Sequence, residues 1–434
     1  MTHATTQPTT PEPIESTIES TKFIVRSCVI QGADALGVEI EATPSRDWAM
    51  LDLPSAAARA ESSIRLRSAL QAVGISPSSG VRFSARLPVP PIAGALDLAT
   101  ATAALLALGE VPTDALDGIL VLGELGLDGS LRATRGVLSA ALLARASGLR
   151  GILIPAACAW EAAMVDRIEV LVADDLAGVL AVLRGEREAI DLPAADPGPA
   201  PEGRTLDMSE VRGQDAAIAK VADLVARGRG MLLVGPPGTG KTMLARRVVT
   251  LLPAMTPDES LEVTRVYSAV GIAVSPITSR PFRAPHHTIS TAGLCGNSGP
   301  NRRPGELQLA TRGVLFLDEL PEFHLTAVAS LASALRQMKP EDRPLIVASA
   351  NPCPCGWAGS ELRACMCSPE ATSRHLARVR ERARELGIEV RLDDGSPAPQ
   401  EDVVQVETVS LSQLRQAAPG ESSAALRERI RAQP

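Results

Sequence analysis

The chain has 434 residues, of which 45% are hydrophobic, 21% charged and only 2% aromatic, and it carries a formal net charge of −7. That length exceeds one ordinary core and predicts two or three domains built on Leu, Val, Ile and Ala. The negative balance excludes a global pull toward nucleic acid or an anionic bilayer, and no apolar run reaches the ~18–20 residues of a membrane helix.

In chain order, residues 1–21 have no basic n-region and no apolar h-region, so they do not read as a signal peptide. Their Thr, Pro and Glu content predicts a disordered tail. Residues 22–185 alternate short apolar runs with helical patterns, which predicts an α/β domain. Within it, GILVLGELGLDGSLRATRG reads as a strand, an Asp128-Gly129 turn and a second strand. VLSAALLARASGLRG then has helical spacing with a glycine stop, and GILIPA starts a new strand. Residues 186–208 are Pro-rich and aperiodic, as a linker would be. From 209 to 392 the order is helix, strand, glycine-rich loop, helix, strand. Residues 393–434 open as a loop and close on GESSAALRERIRAQP, a capped helix.

The glycine-rich loop fits G-x-x-x-x-G-K-[ST] with no mismatch: Gly235, Pro236, Pro237, Gly238, Thr239, Gly240, Lys241 and Thr242. GMLLV before it reads as a buried strand and KTMLARRVVTLL after it as a helix. Glycines let backbone N–H groups point into such a loop, and the helix N-terminus adds partial positive charge. Lys241 is expected to reach the β- and γ-phosphates of ATP, and Thr242 to ligate Mg²⁺. A second strand, GVLFLDELPEF, ends in Asp318 and Glu319. There Asp318 would hold the Mg²⁺ shell and Glu319 would polarise the attacking water. A third strand, PLIVASAN, ends at Asn351, whose amide can position that water. Asn also ends strands for turn reasons, so its weight comes from following the other two motifs.

Seven cysteines without a signal sequence predict a reducing cytoplasm, where paired cysteines suggest metal before disulfide. Cys353, Cys355, Cys365 and Cys367 form two C-x-C pairs. Four thiolates at that density suit tetrahedral Zn²⁺, the competing reading being four reduced thiols in a loop. Cys28, Cys158 and Cys295 read as small hydrophobes. Adjacent His286 and His287 make a poor joint metal site, and loop hydrogen bonding competes with a pore or DNA contact. Arg280, Arg283, Arg302 and Arg303 flank them and predict a local cationic region.

Several strings together resemble the AAA+ ATPases, in their magnesium-chelatase-like branch of the ComM type: RGQDAAIAKVADL, RPFRAPHHTIS, PGELQLATRGVLFLDELPEF and ASANPCPCGW. GELGLDGSLRATRGVL and IPAACAWEAAMV are similar to that family's N-terminal domain, which has the Lon-protease-like fold. The resemblance implies an AAA+ P-loop parallel sheet with helices on both faces, preceded by a smaller Lon-protease-like α/β domain. It implies a self-associating ring, hexameric and ATP-driven, acting on single-stranded or branched DNA in branch migration and recombination of incoming DNA, with no membrane partner. In the true chelatase subunit the implied work is Mg²⁺ insertion into a porphyrin. Peptidase chemistry of the Lon kind needs a Ser–Lys dyad, but Ala95 stands at about the serine position and RGVLSAALLA has no lysine. A scaffold or DNA-facing role is expected instead.

Three departures qualify the resemblance. The pore hairpin expected before the Asn351 strand is reduced to MKPEDR. The family's SGPLLDRIDL-type string, with its arginine finger, is replaced by RHLARVRERARELGIEVRL, in which Arg374, Arg378, Arg380 or Arg382 would have to substitute. The sequence ends where a helical lid with a second sensor arginine would begin. The sequence therefore predicts an ATPase of this type, with two alternatives: a hydrolysis-impaired regulatory paralogue and a chelatase motor subunit.

Overall fold

The computed structural model describes residues 21–75, 80–91, 94–186, 206–273, 275–297, 299, 302–360, 363–389, 402–405 and 419–432. The expected tail up to residue 20 and residues 187–205 of the expected linker lie outside them.

In the N-terminal domain, β1 (Phe23–Gln31) and β2 (Asp34–Ser45) form a hairpin. It turns at Gly32, whose φ of 67° suits a residue without a Cβ. Next come α1 (Ala56–Ala72), β3 (Gly80–Ala85), α2 (Asp97–Ala107), β4 (Ile119–Val121), β5 (Glu124–Leu125), β6 (Leu131–Arg132) and α3 (Val137–Ala146). β7 (Gly151–Pro155), α4 (Ala159–Ala162), β8 (Glu169–Ala173) and α5 (Leu176–Leu183) complete it. The sheet order is β3-β2-β1-β4-β7-β8, antiparallel as far as β1 and parallel beyond it. The longest apolar run is α2, buried from Asp97 to Leu106, as a helix apolar all round should be. Among the described residues no helix is long and apolar enough to cross a membrane. The expected turn links β5 and β6, with Asp128 Oδ1 accepting from Ser130 N at 3.1 Å.

The second domain contains α6 (Asp215–Ala226), β9 (Met231–Val234), α7 (Lys241–Val248), α8 (Pro257–Val270), β10 (Phe282–Arg283), α9 (Thr291–Cys295) and α10 (Glu306–Leu309). β11 (Val314–Leu317), α11 (Leu325–Gln337), β12 (Leu345–Ala350), α12 (Pro369–Glu385), β13 (Val403–Gln405) and a last helix, Ser423–Arg431, follow. The sheet is all-parallel, in the order β10-β11-β12-β9-β13. Its residues alternate between two cores. Met231, Leu233, Val314, Phe316 and Val347 face one core, with residues of α6, α7 and the last helix. Leu232, Val234, Leu315, Leu317, Ile346 and Ala348 face the other, with α11 and α12. Strands covered on both faces must be apolar throughout, and the period of two assigns each residue to its side. This is the AAA+ architecture, with helices on both faces.

Two features lie beyond residue 392. β13 is the fifth strand of the sheet, and the last helix docks on α6. Ser423 ties that helix to the domain entrance: its Oγ accepts from Met208 N at 2.8 Å, and its N–H donates to Asp207 Oδ2 at 3.1 Å. The AAA+ sheet therefore extends into the segment that reads as a separate C-terminal stretch. Between α11 and β12 there is a single turn, Pro340–Asp342, and no hairpin, in line with the shortened sequence there.

The domains meet where α3 packs on α8. α8 is well specified: Thr256 and Glu259 form a reciprocal capping box, Pro257 opens the helix, and Gly271 closes it at φ 75°. At the contact, Gly136 N donates to Ser268 O at 3.2 Å. The buried Glu161 carboxylate accepts from Leu138 N at 3.1 Å and from Ser268 Oγ. Burial raises the pKa of Glu161, against these two hydrogen bonds.

Candidate nucleotide-binding site

β11, β12 and β9 are neighbours in the sheet, so the residues following them meet at the C-terminal edge. In open α/β sheets that edge is where ligands bind. A cleft of about 740 Å³ opens at the other end of the sheet around Gly230, Arg343 and Pro344. Ligand chemistry is concentrated at the C-terminal edge.

The loop from Gly235 to Gly240 leaves β9 and enters α7. Gly238 and Gly240 have φ of 79° and 95°, which a side chain would resist. Lys241 Nζ donates to Gly235 O at 2.7 Å, Pro236 O at 2.9 Å and Asn351 Oδ1 at 3.3 Å. Burial lowers its pKa, while Asp318 and Glu319 act to raise it. Thr242 Oγ1 donates to Asp318 Oδ2 at 3.2 Å. A hydroxyl beside a carboxylate is a hard-oxygen donor pair, which suits Mg²⁺. The structure thus brings Lys241, Thr242, Asp318, Glu319 and Asn351 to one edge, with Thr239 Oγ1 closing the loop onto Pro236 O at 2.9 Å.

Three further residues were not legible as site residues. Ser349, only 1% exposed, donates its Oγ hydrogen to Asp318 Oδ1 and accepts from Glu319 N at 3.0 Å. It braces both acids from the neighbouring strand. A hydroxyl in an otherwise apolar buried strand was the available signal. Glu319 itself is left-handed, at φ 56° and ψ 52°, a conformation that costs about 1–3 kcal/mol in a non-glycine residue. It leads into the 3₁₀ turn Leu320–Glu322. His287 Nδ1 lies 3.6 Å from Glu319 Oε2, whereas His286 Nδ1 pairs with Thr288 Oγ1 at 2.8 Å. The adjacent histidines therefore divide between the site and the loop. Gln214, at the start of α6, donates to Thr239 O at 3.5 Å and links α6 to the phosphate loop.

The expected cationic region needs correction. Arg280 donates to Arg312 O at 2.7 Å and Glu259 Oε2 at 3.1 Å. Arg283 makes a two-pronged pair with Glu306 at 2.6 and 2.8 Å. Carboxylates distant in sequence neutralise both, and only Arg302 and Arg303 of the four are exposed. On α12, Arg382 Nε donates to Phe323 O at 3.0 Å, so this finger candidate is engaged within its own chain. Arg374 lies exposed one turn from the start of α12. In the N-terminal domain Ala95 is buried before α2, and the polar group beside it is Asp97, which accepts from Ser62 Oγ at 2.8 Å and Arg65 Nε at 2.6 Å.

The cysteines divide as their surroundings dictate. Cys28 and Cys158 are buried and Cys295 half-buried, and desolvation pushes their thiols up to about 12, 11 and 11. The sulfurs of Cys353, Cys355, Cys365 and Cys367 all lie within 4.8 Å of one another. They could hold a Zn²⁺ ion.

Comparison with known proteins agrees with this geometry. The family described as "Magnesium chelatase, subunit ChlI" matches residues 207–392, and "Subunit ChlI of Mg-chelatase" matches residues 38–158. An uncharacterised protein of Mycobacterium tuberculosis is 36% identical over 373 residues, which cover 81% of this chain and 73% of the relative. The Escherichia coli protein YifB is 32% identical over 433 residues, covering 94% and 81%. The competence protein ComM of Haemophilus influenzae is 33% identical over 378 residues, covering 82% and 73%. With a chelatase-type nucleotide domain behind a second chelatase-family domain, and relatives that match across both, the chain belongs to the magnesium-chelatase-like AAA+ proteins of the ComM/YifB family.

Proposed function

We propose that the chain hydrolyses ATP as a self-associating AAA+ ring, hexameric, and uses that energy to remodel single-stranded or branched DNA in a reducing cytoplasm. The observation that carries the ATPase reading is the meeting of Lys241, Thr242, Asp318, Glu319 and Asn351 at one sheet edge. The DNA role is supported by one relative, the competence protein ComM of Haemophilus influenzae.

Each residue has a part that follows from its chemistry. The loop N–H groups and the Lys241 ammonium bind the β- and γ-phosphates of the substrate. Thr242 and Asp318 would hold Mg²⁺, which supplies charge neutralisation on the phosphates when bound. Glu319 orients and deprotonates the attacking water, and the Asn351 amide fixes its position. Ser349 keeps Asp318 and Glu319 in register.

A slow-turnover regulator is the second reading. It is favoured by Arg382, whose engagement with Phe323 O removes one candidate finger. Such a finger is worth about 10³–10⁵ in rate in related enzymes. Steady-state ATPase measured with and without single-stranded and branched DNA separates the readings. The motor reading expects DNA-stimulated turnover that Glu319→Gln lowers by about 10²-fold or more, the scale of general base catalysis. Tight Mg·ATP binding without turnover would favour the regulator, and porphyrin-linked turnover would favour a chelatase subunit. No calorimetric signal with Mg·ATP would sink all three.

A further inference from the structure

The four-cysteine knuckle does more than decorate a loop, because it sits against the nucleotide site. Cys353 is fully buried two residues after Asn351. Its Sγ lies 3.4 Å from that of Cys355 and 3.6 Å from that of Cys365, and the sulfurs of Cys355 and Cys365 are 3.6 Å apart. A tetrahedral zinc with Zn–S bonds of about 2.3 Å has sulfur–sulfur edges near ~3.8 Å, whereas a disulfide requires about 2.05 Å. The cluster therefore has the dimensions of a ligand set. Backbone N–H groups already point at the sulfurs, from Ala358 to Cys353 at 3.2 Å and from Cys355 to Cys367 at 3.3 Å. Such donors orient and stabilise thiolate ligands. Four protein ligands leave no open position, which marks a structural site rather than a catalytic one.

The same turn touches the phosphate loop. Gly356, at φ 86°, is so close to it that a β-carbon there would lie 2.8 Å from Pro237 Cγ and Cδ and 3.8 Å from Asn351 Cγ. Gly356 N is held by Cys353 O at 2.9 Å. On the other side, the His375 ring on α12 bonds Asn351 O through Nε2 at 2.9 Å. Asn351 is thus fixed between α12 and the cysteine turn, while its side chain accepts from Lys241.

We propose that Cys353, Cys355, Cys365 and Cys367 bind one Zn²⁺, and that the ion locks the Cys353–Gly356 turn against Pro237, so positioning Asn351 and the phosphate loop. The first half stands on the cysteines alone. The second rests on reading residues 235–242 as the nucleotide loop. The zinc is a positioning element and takes no part in the chemical step.

The test uses the full-length chain. Metal analysis should find one zinc per chain, and cobalt substitution should give the thiolate-to-cobalt charge-transfer spectrum of a tetrahedral four-sulfur site. The double variant C365S/C367S should lose the metal, with circular dichroism reporting whether the fold survives. Gly356→Ala keeps every ligand and crowds Pro237. It should retain zinc and the cobalt spectrum while Mg·ATP affinity, read with a fluorescent nucleotide, falls about tenfold. Wild-type protein without zinc and without the cobalt spectrum would overturn the site. Zinc present, with Gly356→Ala binding Mg·ATP as wild type does, would overturn the coupling. Zinc present in wild-type protein that binds no Mg·ATP would likewise overturn the coupling, through failure of the nucleotide-loop reading, while the metal site stands.

Discussion

Ser349→Ala isolates the brace behind the two acids. The variant removes a hydroxyl that donates to Asp318 and accepts from Glu319 N at 3.0 Å. A hydrogen bond to a charged acceptor contributes about 1.5–3 kcal/mol and a neutral one about 0.5–1.5 kcal/mol. Asp318 is only half-buried and Glu319 is exposed, so water recovers part of this sum. The remaining loss is about 1–2 kcal/mol. Glu319 then has less to hold its left-handed backbone, and its catalytic placement becomes less populated. At 1.4 kcal/mol per decade, kcat should fall about 5–30-fold. Mg·ATP affinity should stay within about threefold, because Lys241 keeps its own carbonyl partners. The melting temperature should drop by roughly 2–8 °C for a domain of this size. Ser349→Cys, similar in size but a weak donor, should fall between alanine and wild type. A folded Ser349→Ala protein with kcat within about twofold of wild type would refute the brace.

Other perturbations test other parts of the molecule. Lys241→Ala should weaken Mg·ATP binding by about 10–100-fold, the worth of its charge-assisted bonds to phosphate, and an unchanged Kd in calorimetry would exclude that role. Glu161→Gln tests the domain contact through pH. Burial raises the folded pKa of Glu161, so its stabilising contribution is complete below the ordinary carboxylate range and is lost as pH rises through the raised folded value. Gln keeps the acceptor without the charge, so melting temperature should fall less between acidic and neutral pH than in wild type; superimposable profiles would contradict this. Arg65→Ala strands Asp97, which is 5% exposed and whose pKa desolvation already raises. The single variant should cost about 3 kcal/mol in urea unfolding, and the apolar double variant R65M/D97L should recover most of it. A double variant no more stable than the single one would show that the pair contributes net stability.

The sequence by itself determined the nucleotide loop, the two acids after β11, Asn351 after β12 and the division into two α/β domains. These depend on local requirements: glycines where φ is positive, unbroken apolar runs where strands are covered on both faces, and a polar residue where a strand meets solvent. Tertiary structure decided the rest. β13 is three residues long, too short for any period, and it is a strand only because β9 offers an edge. Arg280 and Arg283 look cationic until folding sets them on Glu259 and Glu306, each more than twenty residues away. Ser349 is a small polar residue in a run until pairing of β11 with β12 puts it beside Asp318 and Glu319. A strand's character is written in its own side chains, but the partner of a charge or a hydroxyl is chosen by packing between segments that the chain keeps far apart.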